Sequence, residues 1–188
     1  MARIVIRPLT PRRWPDLKKL FGPRGACGGC WCMYWRLPRQ EYERRKGEGN
    51  RRALRKLAGS KTPPGLLAYL DGEPVGWCAL APREAYPVLD RSRVLARVDE
   101  KPVWSVVCFF IARRFRNRGV SRALVRAAVA FARKHGAKIV EGYPVEPRHG
   151  RAPDVFLWTG LPGTFVSAGF KEVARRSPTR PILRRALR

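Results

Sequence analysis

An almost uninterrupted apolar run from Val103 to Ile111 constrains the fold more than any other feature of the sequence. Only Ser105 breaks the run, which therefore lacks the alternation of a strand with one face in water. Its length fits one strand, and a strand that is apolar on both faces must be covered on both. The run therefore predicts a central strand in a sheet with a layer packed on each side.

A short basic loop and an amphipathic helix follow this strand. Val120, Leu124, Ala128 and Phe131 repeat at the spacing of one helical face, and Gly136 is typical of a helix end. A loop that enters a helix N-terminus presents unpaired backbone N–H groups and the positive end of the helix dipole. The segment therefore predicts a site for a phosphate group, and a glycine at the helix start lets the anion approach the backbone.

The rest of the chain alternates predicted strands and helices. Strand patterns lie at 3–8, 66–70, 75–80, 138–145, 170–176 and 180–187, and 71–74 form a hairpin turn. Helical patterns lie at 11–21, at 39–58 as two short helices, at 84–91 as a turn, and at 163–168. Segments 22–37 and 144–162 are predicted as loops. This order predicts one mixed α/β (α+β) domain over residues 1–188.

The composition excludes some classes of protein. The chain has 188 residues with 40 Lys+Arg and 14 Asp+Glu, for a net charge of +26. No apolar run approaches the roughly 20 residues of a membrane span, and the N-terminus lacks the apolar centre of a signal peptide. We therefore expect a cytoplasmic protein with no membrane partner. The charge favours an anionic partner, but it is spread along the chain, so nucleic acid is an alternative that the sequence does not favour over a solubilising surface.

Five cysteines form an odd set, which in a cytoplasmic protein indicates free thiols. Cys78 and Cys108 lie in apolar runs and are predicted to be small buried hydrophobic residues. Cys27, Cys30 and Cys32 begin like a zinc site, but no second C-x-x-C or pair of histidines follows. We therefore predict no metal site; a packed glycine-rich loop is favoured, with a metal site and a redox thiol as alternatives.

The strand, loop and helix together resemble the acetyl-CoA-binding motif of the GNAT superfamily of N-acetyltransferases. In that family a strand ending in V-x-P leads to [Q/R]-x-x-G-x-[G/A] and a long helix. Here Ile111 stands for the valine, and the core motif reads Arg116-Asn-Arg-Gly-Val-Ser121. Two positions depart from the pattern: Arg113 replaces the proline, and Ser121 replaces the last glycine or alanine.

Two further segments extend the resemblance over most of the chain. Gly72-Glu-Pro-Val-Gly76 resembles the G-x-x-V-G of the family's hairpin, and Ala168-Gly-Phe170 resembles the boundary before its sixth strand. The resemblance implies a central mixed, mostly antiparallel sheet flanked by helices. It also implies transfer of an acetyl group from acetyl-CoA, as cosubstrate, to an amine by direct attack in a ternary complex.

The resemblance implies which residues hold the cosubstrate. Backbone groups of Phe109, Phe110 and Ile111 are expected to pair with the pantetheine arm and to polarise the thioester carbonyl. The pyrophosphate is expected on the loop and helix start, at Arg116, Asn117, Arg118, Gly119, Val120, Ser121 and Arg122. The expected partners are coenzyme A and an unidentified acceptor, and a homodimer is left open.

Candidates for proton transfer also follow from the resemblance. Glu141, an isolated acid in an apolar strand, lies where several members place a general base; the alternative is an ordinary residue on the outer face of the sheet. The family's frequent catalytic tyrosine falls at Phe165. Tyr143, two residues after Glu141 and on the same face, is therefore the candidate acid, with water as the alternative.

The acceptor pocket is predicted to involve aromatic side chains in segment 25–36. Trp31, Tyr34 and Trp35 are expected to form a wall that stacks a planar or cationic group, and packing over the core is the alternative. Because the positive chain repels polycations, we expect a neutral or anionic amine-bearing acceptor. The alternative function is a catalytically weak GNAT-like domain that binds nucleic acid through its basic surface.

Overall fold

The computed structural model of the chain describes residues 3–148 and 152–187. In this part of the chain seven strands form one sheet: β1 (Ile4–Pro8), β2 (Gly65–Leu70), β3 (Glu73–Pro82), β4 (Trp104–Ile111), β5 (Ile139–Gly142), β6 (Lys171–Arg175) and β7 (Pro181–Ala186). Their order across the sheet is β1-β2-β3-β4-β5-β7-β6. β4 and β5 are parallel, whereas the other neighbours are antiparallel. The predicted mixed, mostly antiparallel sheet is confirmed.

The helices lie close to their predicted positions. They are α1 (Trp14–Phe21), α2 (Arg39–Arg44), α3 (Glu48–Ala58), α4 (Pro87–Asp90), α5 (Val120–Lys134) and α6 (Pro162–Val166). Gly47, with a φ of 82°, separates α2 from α3, so segment 39–58 forms two helices as predicted. Among the helices of the described residues, none is both long enough and apolar enough to cross a membrane.

The sheet carries an apolar core on each face. α5 and α6 cover one face through side chains such as Leu124 and Phe165. α1, α3 and the loop between α1 and α2 cover the other face, where Trp31 is buried. β4 contributes to both cores, because Val106 belongs to the first and Val107 to the second. The apolar run is therefore a strand buried on both faces, as its pattern predicts.

β4 changes its neighbours along its length. An irregularity at Val107 interrupts its register with β3, and it pairs with β5 only from Trp104 to Val106. Beyond that point the two strands separate, and the Phe109 N–H donates instead to the Trp158 carbonyl, with 2.6 Å between nitrogen and oxygen. The C-terminal half of β4 therefore borders an opening in the sheet.

The strand predicted over 138–145 is shorter than expected, because β5 ends at Gly142. Pro144 has no N–H to donate to a neighbouring strand. The Val145 N–H donates to the Gly160 carbonyl at 2.9 Å rather than to β4 or β7. The two ends of the 144–162 segment thus pair with each other, and the segment lies beside β4 through the contact of Trp158 with Phe109.

Candidate active site

A cleft of about 1010 Å³ opens where β4 separates from β5. Its walls are the C-terminal half of β4, the start of α5, segment 154–164 and the loop before α2. Clefts that bind small molecules have volumes of roughly 300 to 1,000 Å³. This cleft is therefore large enough for an extended ligand, and its two ends differ in chemistry.

One end of the cleft is a row of backbone donors at the start of α5. The chain turns there through two residues with positive φ, Asn117 at 59° and Gly119 at 77°. Within the described residues, the N–H groups of 117–122 have no hydrogen-bond acceptor, and the next N–H, that of Ala123, donates to the Gly119 carbonyl. A Cβ added at Gly119 would meet no atom within 4 Å. Unpaired donors under open space at a helix N-terminus suit an anion such as a diphosphate.

Arginine side chains add positive charge around these donors. Arg116 donates through Nε to the Ile111 carbonyl at 3.2 Å and forms an ion pair with Asp154. The Arg118 guanidinium lies over the Phe115 ring, 5.7 Å from its centroid. Because Asp154 and Arg116 are both substantially exposed, their pair is weak. An anion at this end would compete with Asp154 for Arg116.

The exposed edge of β4 forms the middle of the cleft. N–H groups alternate between the two edges of a strand. Ala112 donates to the Val75 carbonyl on the β3 side, at 3.0 Å, so Ile111 presents its N–H on the opposite edge, as Phe109 does. A ligand that pairs with the Phe109 N–H must therefore displace the Trp158 carbonyl from it.

The other end of the cleft is aromatic and contains thiols. Tyr34 makes T-shaped contacts with Trp35, Tyr42 and Trp158, with ring centroids 5.0, 5.6 and 5.4 Å apart. Cys27, Cys30, Cys32 and Cys108 also line the cleft. Burial raises the pKa of Tyr42 to about 12 and that of Cys30 to about 11, so both side chains are neutral at pH 7.

Glu141 and Tyr143 lie in a buried ionic network. The Tyr143 hydroxyl donates to Glu141 Oε1 at 2.6 Å, and Arg83 Nη1 donates to the same oxygen at 2.9 Å. Arg184 Nε donates to Glu141 Oε2 at 2.5 Å, so both carboxylate oxygens are bound. Glu141 and Tyr143 are 0% exposed. Burial, together with the charge of Glu141, raises the pKa of Tyr143 well above its ordinary value.

The network joins several elements of the fold. Arg83 follows β3 and also donates to Tyr143 Oη at 2.8 Å and to the Leu95 carbonyl at 2.8 Å. Ser105, in β4, shares a 2.7 Å hydrogen bond with the Tyr143 hydroxyl. The network thus connects β4, β5 and β7 with segment 83–97 where the sheet is closed.

The five cysteines are free thiols. Across residues 3–148 and 152–187, no group of three or more His, Cys, Asp and Glu side chains is placed to hold a metal ion. Cys30 Sγ instead donates to the Gly25 carbonyl at 3.6 Å.

The sequence model of the acetyltransferase (GNAT) family matches residues 31–151. The chain belongs to this family. No curated protein matches the sequence.

Solved structures of GNAT proteins share the fold at low sequence identity. A GNAT acetyltransferase from Streptococcus agalactiae has a TM-score of 0.58 and 13% identity, over 98% of this chain and 96% of its own. A GCN5-related N-acetyltransferase from Kribbella flavida has a TM-score of 0.55 and 18% identity, over 98% of both chains. The PaiA N-acetyltransferase from Thermoplasma acidophilum, in complex with coenzyme A, has a TM-score of 0.55 and 13% identity, over 98% of this chain and 99% of its own.

The cleft brings together most of the residues that the sequence predicts to hold the cosubstrate. The lining includes Phe109, Phe110, Ile111, Arg116, Asn117, Gly119, Val120, Ser121 and Arg122. Arg118 is the exception, because its side chain packs over Phe115 and only its backbone belongs to the row of donors.

The predicted acceptor wall divides between the cleft and the core. Tyr34 and Trp35 line the cleft, and Tyr34 is 46% exposed. Trp31 does not line it: the side chain is 4% exposed and stacks on Trp14, with ring centroids 5.8 Å apart. For Trp31 the alternative of packing over the core is therefore the one that the structure shows.

The geometry does not support Glu141 as a general base or Tyr143 as a general acid. Neither residue lines the cleft. Both oxygens of Glu141 are bound by arginine, and the Tyr143 proton is directed to Glu141. Glu141 is also buried, so it is not an outward-facing sheet residue either.

Sequence reasoning missed several residues of this GNAT cleft. Trp158 had a weak signal, as a large aromatic residue in a segment rich in proline and glycine. Cys108 directly precedes the predicted Phe109 and is buried as predicted, yet it also contributes to the cleft wall. Nothing local marks Asp154, and the cysteine cluster that includes Cys32 gives no sign of the contact with Cys108, because these partners are 38 and 76 residues away.

Proposed function

We propose that this GNAT protein transfers an acetyl group from acetyl-CoA to a neutral or anionic amine-bearing acceptor by direct attack in a ternary complex. One observation carries the proposal: the row of backbone donors at 117–122 ends at a cleft bordered by the free edge of β4. The coenzyme A complex of the Thermoplasma acidophilum protein, which has the same fold, supports the choice of cosubstrate.

The residues present fit acetyl-CoA. The N–H groups of 117–122 would hold the diphosphate, the open space over Gly119 would admit it, and Arg116 and Arg122 would add charge. The Ile111 N–H would pair with the pantetheine arm on the free edge of β4. When bound, acetyl-CoA supplies an acetyl group activated as a thioester, whose carbonyl oxygen gains negative charge as the amine attacks.

The segment that carries Asp154 and Trp158 must adjust for this binding. Asp154 forms an ion pair with Arg116, and the Trp158 carbonyl accepts a hydrogen bond from the Phe109 N–H. We propose that the diphosphate replaces Asp154 and that the Phe109 N–H is released to polarise the thioester carbonyl. Both contacts come from one segment, so a single displacement frees both groups.

The acceptor is proposed to lie at the aromatic end of the cleft. Asp154, which lies at the opposite end, is the only carboxylate among the described lining residues. A polycation would therefore find no counter-charge beside Tyr34 and Trp35, and the net charge of +26 opposes its approach. An alkyl ammonium with a pKa of about 10.4 must lose its proton before it attacks. Since Glu141 lies outside the cleft, we propose that water takes this proton.

A pair of glycine variants tests the cosubstrate site. Gly119→Glu would place a carboxylate over the backbone donors, and we expect it to weaken coenzyme A binding by about 100-fold or more in calorimetry. Gly136→Glu is the matched control, because Gly136 lies at the opposite end of α5, with a φ of 82° and no atom within 4 Å of an added Cβ. Equal affinities in the two variants would contradict the proposed site.

An acceptor screen tests the reaction itself. The protein is incubated with acetyl-CoA and a panel of neutral, anionic and polycationic amines, and free thiol is measured as coenzyme A is released. We expect release with neutral or anionic amines and little with polyamines. Release only with polyamines would overturn the acceptor class while leaving the cosubstrate site intact.

A further inference from the structure

Two cysteine thiols meet on the wall of the cleft. Cys32 lies in the loop before α2 and Cys108 lies in β4; their sulfur atoms are 3.3 Å apart. Both residues line the cleft. A disulfide bond is about 2.05 Å long, so a relative movement of roughly 1 Å would join the two sulfur atoms.

A buried hydrogen-bond donor is directed at the Cys32 sulfur. Trp77 Nε1 donates to Cys32 Sγ at 3.0 Å, and Trp77 is 0% exposed, so this indole N–H has no competing water. The hydrogen bond to Cys32, together with burial, raises the pKa of Cys108 well above its ordinary value, and either sulfur can be the donor in the contact between the two thiols. The Trp77 hydrogen bond therefore holds the Cys32 sulfur beside that of Cys108.

The backbone at Cys32 holds the sulfur in this position. Trp31 and Cys32 have φ values of 44° and 54°, both in the left-handed region. Such a conformation is unfavourable for any residue that is not glycine. Trp31 is fixed by stacking on Trp14, and the turn directs Cys32 towards Trp77 and Cys108. Strained backbone of this kind is concentrated at functional sites.

We propose that Cys32 and Cys108 are a redox-active pair, which a hydroperoxide converts into a disulfide across the cleft wall. The Cys32 sulfur attacks the O–O bond of hydrogen peroxide; an S–O bond forms, the O–O bond breaks, and the thiol proton leaves with the second oxygen as water, so that Cys32 becomes a sulfenic acid. The Cys108 thiol then attacks the Cys32 sulfur; an S–S bond forms, and the sulfenic oxygen leaves with the thiol proton as water. Two thiols are oxidised by two electrons, and the peroxide is reduced by the same two.

The other cysteines lack this combination. Cys78 is 0% exposed, lies in the core on the α5 face, and its burial raises its pKa. Cys30 is held as a thiol, since burial raises its pKa to about 11. Cys27 is exposed, and no side-chain donor in the described residues contacts its sulfur. Oxidation is therefore selective for the pair of Cys32 and Cys108.

The disulfide would alter the cleft at a sensitive point. Cys108 directly precedes Phe109, whose N–H we propose to polarise the thioester carbonyl, and a bond to Cys32 would tie the loop to β4 there. This consequence rests on the proposed function, whereas the oxidation chemistry does not. We expect oxidation to lower acetyl transfer at least several-fold, and a dithiol reductant to restore it.

Mass spectrometry of the full chain tests the pair directly. After treatment with hydrogen peroxide, we expect the wild-type mass to fall by about 2 Da, with the peptides of Cys32 and Cys108 linked in a non-reducing digest. In Cys108→Ser, dimedone should label Cys32 as a trapped sulfenic acid. Cys78→Ser is the matched control and should form the same link as the wild type.

Two results would overturn the proposal. One is a wild-type protein whose Cys32 and Cys108 stay unlinked at peroxide levels that oxidise Cys27. The other is dimedone labelling in Cys108→Ser at a residue other than Cys32. Neither readout depends on acetyl transfer, so a failure of the proposed function would leave this test intact.

Discussion

The two halves of β4 differ in whether the polar groups beside them have hydrogen-bond partners. The half from Trp104 to Val106 pairs with β5, and beside it both oxygens of Glu141 are bound by arginine. The other half separates from β5 and leads to residues 117–122, whose N–H groups have no acceptor in the described chain. Buried polar groups in native proteins are nearly always paired. Satisfied groups therefore mark the supporting half, and unpaired donors beneath open space mark the half that we propose to bind a ligand.

The arginines, which supply much of the positive charge of the chain, fall into at least two groups in the structure. Arg83 and Arg184 are used internally, to neutralise Glu141 and to hold β5 and β7. Arg116 and Arg122 line the open cleft. Arginines in this chain therefore serve at least two purposes, which composition alone does not separate.

Glu141→Ala is the strongest test of the half of β4 that pairs with β5. This change removes the buried carboxylate between Arg83 and Arg184, which keep only the partly exposed Asp90 and Asp99 as partners, and we expect the free energy of unfolding to fall by about 3 kcal/mol. Glu48→Ala is the control, because Glu48 pairs with Arg51 at the surface and should lose less than about 1 kcal/mol. Denaturant unfolding measures both. Equal decreases in the free energy of unfolding for the two variants would contradict a supporting role for Glu141. A fully stable Glu141→Gln that binds coenzyme A but lacks turnover would show that Glu141 is a general base after all.

The pH dependence of the free energy of unfolding tests whether Tyr143 keeps its proton in the folded network. Burial, with the charge of Glu141, raises the pKa of Tyr143, so above pH 10 the unfolded chain loses a proton that the folded chain keeps. The stability contributed by this group is complete below pH 10 and is lost as the pH rises, by about 1.4 kcal/mol per pH unit. In Tyr143→Phe this part of the slope should vanish between pH 10 and 11.5. An unchanged slope in denaturant unfolding would show that Tyr143 ionises freely.

Asp154→Asn tests the half of β4 that borders the cleft. Removing the charge frees Arg116 for the diphosphate, and we expect coenzyme A to bind about two- to five-fold more tightly, since an exposed pair contributes under about 1 kcal/mol. Glu73→Gln is the control: Glu73 pairs with Arg114 at the surface, and neither lines the cleft. Calorimetry at one fixed salt concentration compares the two. A weaker affinity in Asp154→Asn would mean that Asp154 helps to hold the ligand.

Much of the fold and one end of the site followed from local sequence patterns. The run from Val103 to Ile111, the basic loop and the stripe of α5 are contiguous, and their periodicity reports burial directly. The donors at 117–122 belong to this stretch, so the proposed anion site could be predicted without knowledge of the tertiary fold.

The remaining features depend on distant partners. Glu141 meets Arg83 and Arg184 across 58 and 43 residues, and an isolated acid in an apolar strand resembles a general base until those partners are known. Cys32 and Cys108 are 76 residues apart. The Trp158 carbonyl reaches Phe109 through a backbone contact that carries no side-chain signal. Long-range pairing, rather than local propensity, decided these features.

In the proposed function, the unpaired N–H groups of 117–122 receive the diphosphate of coenzyme A. Its most direct test is a titration of the ¹⁵N-labelled protein with coenzyme A, observed through backbone amide shifts. We expect the largest changes on 117–122 and Ile111, with small changes beside Arg126, Arg133 and Lys134, which line a separate basic groove. Saturable binding that leaves the 117–122 amides unmoved and shifts those of the basic groove would contradict it.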